Sequence, residues 1–172
     1  MPLYTSAMTD AEDVEASREE QEVTIVLAAV DISTLTTRIV DLAARIARRT
    51  WSNAQLHLVH VFRAGPFDRP ARVGLRSEDL RAEARSHLDF HVRMARRQFP
   101  GSVTSHFAEG DPAEQVLRCA RAINADLVLV GTLDRMGLER LLLGSVAAKV
   151  AKSAPCPVLI VRQKQRPYVK AT

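Results

Sequence analysis

Five short apolar runs, separated by stretches of helical periodicity, leave this sequence few folds to choose from. VTIVLAAV at Val23 to Val30 opens the series as a β-branched run of strand length. QLHLVHVF at Gln55 to Phe62, VTSHFAE at Val103 to Glu109, DLVLVG at Asp126 to Gly131 and PVLIV at Pro157 to Val161 follow it. Runs that are apolar on both faces belong inside a parallel sheet covered by helices on both sides, with right-handed crossovers between the strands. The expected fold class is therefore α/β, a doubly wound five-stranded parallel sheet with helices on both faces.

The intervening stretches fit that scheme. Leu35, Ile39, Leu42 and Ile46 recur at steps of four, three and four and share one helical face, while Arg38, Arg45, Arg48 and Arg49 point elsewhere. Ser77 caps a second helix whose stripe is Leu80, Ala84, Leu88, Val92, Ala95 and Phe99, and Pro100-Gly101 ends it. Asp111-Pro112-Ala113-Glu114 starts a third, with an acceptor at the cap, proline at the first position and an acid three residues on. Val116, Leu117, Ala120 and Ile123 supply its buried side, and a fourth helix spans about Ser145 to Ser153.

With 172 residues the chain suits one globular domain. Its organisation reads as an acidic flexible extension at 1–22, a domain at 23–165 and a short tail at 166–172. The extension holds seven acids and one base, leaving 23 bases against 13 acids in the remainder. A basic body thus carries an acidic tail. No apolar run approaches the roughly 20 residues that span a bilayer, and the first residues do not read as a secretion signal. The expected location is the cytoplasm. Cys119 and Cys156 are the only cysteines and read as two small buried thiols.

Several side-chain groupings have residue types suited to chemistry. His87 and His91 have metal-ligand spacing on a helix but lack a third ligand, so they read as a polar shoulder of the second helix. His57 and His60 have opposite parity in their strand and cannot form a site together without outside residues. Ser145 lacks the glycine two residues later that a nucleophile elbow needs, since Ala147 stands there. Nine arginines meet five acids between Arg63 and Arg97, yet Phe67 and Phe90 make no stacking series, so a solvated basic face is expected rather than a nucleic-acid platform.

The candidate site lies where ligands sit in open parallel sheets, beyond the carboxyl ends of the strands at the point where strand order reverses. With the first strand beside the fourth, Asp31-Ile32-Ser33 and Gly131 flank the crevice. A helix starting at Gly144-Ser145 aims free N–H groups and a positive dipole end into it. That is the physics of a phosphate site, although two glycines and a serine also make ordinary turn and cap chemistry.

The stretch GTLDRMGLERLLLGSVAAKVAKSAPCPVLIVR, Gly131 to Arg162, resembles the carboxyl-terminal signature of the universal stress protein family. VLAAVDIS at Val26 to Ser33, LHLVHV at Leu56 to Val61 and GDPAEQVL at Gly110 to Leu117 extend the likeness over residues 23 to 162. The resemblance implies a homodimer joined through the last strand, Pro157 to Val161. In the family's nucleotide-binding branch it also implies a phosphate loop of glycine, two residues, glycine, nine residues, then glycine with serine or threonine. Here Gly131, Gly144 and Ser145 match, and Asp134 stands at the middle glycine. The same resemblance puts ribose at Asp31 and adenine at Val59 or its neighbours.

A carboxylate about 5 Å from one phosphate charge costs roughly 3 kcal/mol at an effective dielectric near 20, or about a hundredfold in affinity. The expected function is accordingly a regulatory stress-response homodimer with a degenerate nucleotide crevice, its ATP binding weakened or absent. The alternative keeps ATP or AMP, with slow hydrolysis, through Arg135 neutralising Asp134 or a divalent metal recruiting it. No residue stands out to position a water or stabilise a transferring phosphoryl group. A third reading, an adenylyl-transferase-like enzyme, lacks a paired-histidine phosphate motif near the first helix.

Overall fold

A computed structural model describes residues 24–63, 77–132 and 144–162. Strands β1 (Thr24–Val30), β2 (Ala54–Phe62), β3 (Val103–Glu109), β4 (Leu127–Thr132) and β5 (Val158–Arg162) alternate with α1 (Leu35–Thr50), α2 (Ser77–Gln98), α3 (Pro112–Ala122) and α4 (Ser145–Ser153). Each strand boundary falls within one residue of its apolar run. The sheet order is β3-β2-β1-β4-β5 and every pairing is parallel, so the α/β expectation holds. Order reverses between β1 and β4, where Val26, Leu27 and Ala28 pair with Leu127, Val128 and Leu129.

Side-chain alternation along the strands splits the core in two. Val26, Ala28 and Val30 of β1 join Leu56, Leu58, Leu88, Val92 and the α1 residues in one cluster. Leu27 points the other way, to Val59, Val116, Leu117, Val128 and Val150 beneath α3 and α4. Two consecutive crossovers on one face and two on the other are what right-handed connections demand when the chain extends the sheet first to one side of β1, then to the other.

The structure rotates the α1 stripe. Its fully buried set is Leu35, Thr36, Ile39, Val40, Ala43, Ala44 and Ala47, while Leu42 and Ile46 are half-buried at the flank. Small alanines bring this helix close to the sheet, and the larger side chains pack along its edge. In α2, Leu80 is half-buried and His91, read as part of a polar shoulder, is only 6% exposed. The cysteines also depart from expectation. Both are half-buried rather than buried, neither is in a disulfide, and burial raises the Cys119 thiol pKa to about 11.

Candidate functional site

The β1–α1 turn is built from hydrogen bonds that its own side chains supply. The Asp31 backbone N–H donates to the Thr36 hydroxyl at 3.0 Å, and that hydroxyl in turn faces the Asp31 carbonyl at 2.8 Å and Oδ1 at 2.7 Å. Its single proton serves both acceptors. The Ser33 N–H donates to the same Oδ1 at 2.9 Å, closing an Asx turn directly before the helix. Thr36 is completely buried, and it went unnoticed in the sequence because a threonine at the second position of a helix carries no pattern of its own.

Across the switch point, β4 ends in Gly131 and Thr132. A β-carbon at Gly131 would stand 2.8 Å from Ile39 Cδ1 and 3.0 Å from Leu35 Cδ2, so the glycine lets α1 close down over β4. Gly144, the N-cap of α4, has φ −53° and ψ 149°, which any residue adopts. Its N–H donates to the Thr132 hydroxyl at 3.2 Å, and among the described residues no side chain caps the helix. The first-turn amides behind it are the orphan donors every helix start carries, and the exposed Ser145 hydroxyl stands among them.

A cavity of about 200 Å³ opens between these two edges, with Asp31, Ser33, Val59, Gly131, Val130 and Val146 among its walls. Leu35 and Ile39 close it from the α1 side, Pro112 and Val116 from the α3 side. The structure therefore brings Asp31, Ser33, Val59 and Gly131 together around one space. Gly144 and Ser145 adjoin it through Val146, and Asp134 lies outside the described residues. Buried Val59 offers an apolar wall, while the α4 start offers N–H groups to an anion.

Asp111 caps α3 by accepting from the Glu114 N–H at 3.0 Å, and Pro112 holds the first helical position, as the sequence pattern required. Lys149 of α4 then reaches Asp111 at 3.3 Å and Glu114 at 2.9 Å. This clasp ties the start of α3 to the middle of α4, beside Pro112 of the cavity wall. The Asp111 carboxyl pKa is lowered, first by the Glu114 amide, with slight burial opposing and Lys149 assisting.

The histidines are structural in character. His60 directs Nδ1 at the Val30 carbonyl, 3.0 Å away, so that nitrogen is the donor, and burial lowers its pKa. His57 leaves the opposite face, as its parity required, and meets His106 of β3 at 2.8 Å with the rings stacked. That partner was not legible in the sequence, since only the register His57 to Thr104 and Val59 to His106 brings the two within reach. His87 and His91 border a second, more open depression of about 470 Å³ on the far side of the β1–α1 turn. Among the described residues no three His, Cys, Asp or Glu side chains are grouped to hold a metal.

A doubly wound sheet with uncapped helix amides and an apolar slot at its switch point defines the class of small α/β domains that accept anionic ligands at the strand ends. Comparison with known proteins narrows the class. The model of the universal stress protein family matches residues 22–162, and the chain belongs to that family. It is 36% identical over 117 residues to a universal stress protein of Methanocaldococcus jannaschii, covering 66% of this chain and 68% of that protein. It is 33% identical over 146 residues to universal stress protein A homolog 1 of Coxiella burnetii, covering 81% of this chain and 96% of that one.

Solved structures agree on the fold. The universal stress protein UspA of Lactobacillus plantarum superposes with a TM-score of 0.65 at 24% identity, over 81% of this chain and 97% of that chain. The universal stress protein of Archaeoglobus fulgidus in complex with dAMP gives 0.57 at 23% identity, over 81% and 98%. A family protein of Arabidopsis thaliana with AMP bound gives 0.58 at 22% identity, over 86% and 97%. Among the described residues no helix is long and apolar enough to cross a membrane.

Proposed function

We propose that this chain is a cytoplasmic stress-response regulator, acting as a homodimer, whose adenine-nucleotide crevice is kept in outline and weakened at one position. The observation that carries the reading is Asp134, an acid in the one loop position where the family's nucleotide-binding pattern places its middle glycine. The described residues of the crevice favour a nucleotide. Val59 supplies an apolar seat, Asp31 a carboxylate at the strand end, and Gly144 and Ser145 open a helix toward the cavity. Relatives of the same fold are complexed with dAMP and AMP. A negative side chain beside the phosphates opposes that arrangement.

Dimerisation through the last strand fits the layout, since β5 is a sheet edge and its Val158, Leu159 and Ile160 are only half-buried. The crevice reading is tested by calorimetric titration of ATP into the wild type and into Asp134→Gly. The variant is expected to bind about a hundredfold more tightly. Tight binding by the wild type, unchanged in the variant, overturns the reading and restores an ordinary ATP-binding family member in its place.

A further inference from the structure

The end of the molecule opposite the crevice concentrates positive charge. Helices α1 and α2 cover the same face of the sheet and each runs from a strand's carboxyl end back to the amino end of the next parallel strand. Their carboxyl ends therefore point to one edge of the sheet, and the Gln98 amide at the end of α2 donates to Asp41 Oδ1, midway along α1, at 2.8 Å. Arg45, Arg48 and Arg49 end α1, and Arg93, Arg96 and Arg97 end α2. All six are exposed.

Little on the described surface answers that charge. Arg96 donates to the Val103 carbonyl at 3.3 Å, but among the described residues no carboxylate pairs with any of the six. The two helix carboxyl ends supply roughly half a negative charge each. Six arginines remain well in excess.

The chain's own acidic segment enters at this edge. The Thr24 N–H donates to the Asn53 carbonyl at 3.2 Å, so the point where the acidic segment joins β1 lies beside Asn53, four residues after Arg49. A β-carbon at Gly101 would sit 2.8 Å from the Ala54 carbonyl, which puts the end of α2 at the same place. Glu22 lies two residues before Thr24, within about 7 Å along an extended chain, and Glu19 and Glu20 lie within about 18 Å. Residues 1–22 carry seven acids and one base.

We infer that residues 1–22 dock through their carboxylates onto the arginine face formed by the last turns of α1 and α2. The attachment point keeps the acids near the arginines at an effective concentration of order millimolar, so individually weak exposed pairs suffice. The contact shields the basic edge from outside polyanions. Because all six arginines are solvent-exposed, it weakens steeply with ionic strength.

Glutamyl endopeptidase digestion of the full chain tests this, with a free peptide of residues 1–22 as the reference for the protease's own salt response. At low salt, cleavage after Glu19, Glu20 and Glu22 is expected to be about fivefold slower in the protein than in the peptide, following the population of the undocked tail. The difference should vanish near 0.5 M salt, where the Debye length is about 4 Å. It should vanish also at low salt in a full-length Arg45→Gln/Arg48→Gln/Arg49→Gln variant, whose helices keep their packing because all three side chains are exposed. Equal cleavage of protein and peptide at low salt overturns the inference. So does protection that survives both salt and substitution, since it would place the tail on a different, apolar contact.

Discussion

The two edges of the crevice are made in opposite ways. At the β1–α1 turn, Asp31, Ser33 and Thr36 spend their polar groups on one another within 3.0 Å, so that edge is rigid and complete without a ligand. At the β4–α4 junction, one amide is answered by Thr132 and among the described residues no side chain caps α4, so the described part of that edge leaves donors open. The difference assigns roles. A self-satisfied turn provides shape and a fixed carboxylate, whereas an open helix start is where an anionic group finds partners.

The sharpest way to break this comparison is to open the closed edge. Thr36→Val keeps the shape of a completely buried side chain and deletes its hydroxyl, leaving the Asp31 N–H without an acceptor. Leaving such a group unpaired costs about 2–3 kcal/mol, read as a lower urea midpoint with an unchanged slope. A loss under about 0.5 kcal/mol would mean that water replaces the hydroxyl and the turn is not closed in the sense argued.

A smaller effect is expected on the open side. Gly131→Ala places a methyl 2.8 Å from Ile39 Cδ1, the far end of a flexible side chain. Overpacking of this kind costs about 1–2 kcal/mol. The double variant Gly131→Ala/Ile39→Val removes the offending atom and should recover part of that loss. No recovery would show that the strain falls on the β4 backbone, and that the junction is stiffer than its uncapped helix suggests.

How much of this was legible beforehand follows from the range of the interactions. Strand runs, the Asp111 cap and the Ser145 helix start are local patterns, and each was recovered within a residue because neighbours in sequence decide it. Asp31, Ser33 and Gly131 line one cavity because a parallel sheet with β1 beside β4 forces strand ends to converge, and Val59, to which only the family resemblance pointed, lines the same space. Thr36, Thr132, His106 and Lys149 were missed. Each acts on a residue brought near by register or helix docking, from 5 positions away for Thr36 to 49 for His106, and no spacing rule announces such pairs. The α1 stripe was misplaced for a related reason, since large residues mark periodicity while small ones decide how closely a helix approaches.

The smallest predicted effects separate the two interactions of Asp111, its cap within α3 and its bond to Lys149 of α4. Lys149 is exposed, so its bonds to Asp111 and Glu114 are screened by water, and Lys149→Met should barely move the urea midpoint. Asp111→Ala removes the acceptor of the Glu114 amide as well, and loss of such a cap costs about 1 kcal/mol. The pH dependence carries the same distinction. The Asp111 carboxyl titrates below its ordinary value of 3.8, chiefly because of that amide, so its contribution is present above about pH 4 and fades as the pH falls through the lowered value. Lys149→Met should retain this acid limb and Asp111→Ala should lose it. If Lys149→Met loses the limb too, the bond to Lys149 rather than the Glu114 amide governs the Asp111 carboxyl, and the contact between α3 and α4 beside the open edge is firmer than its exposure implies.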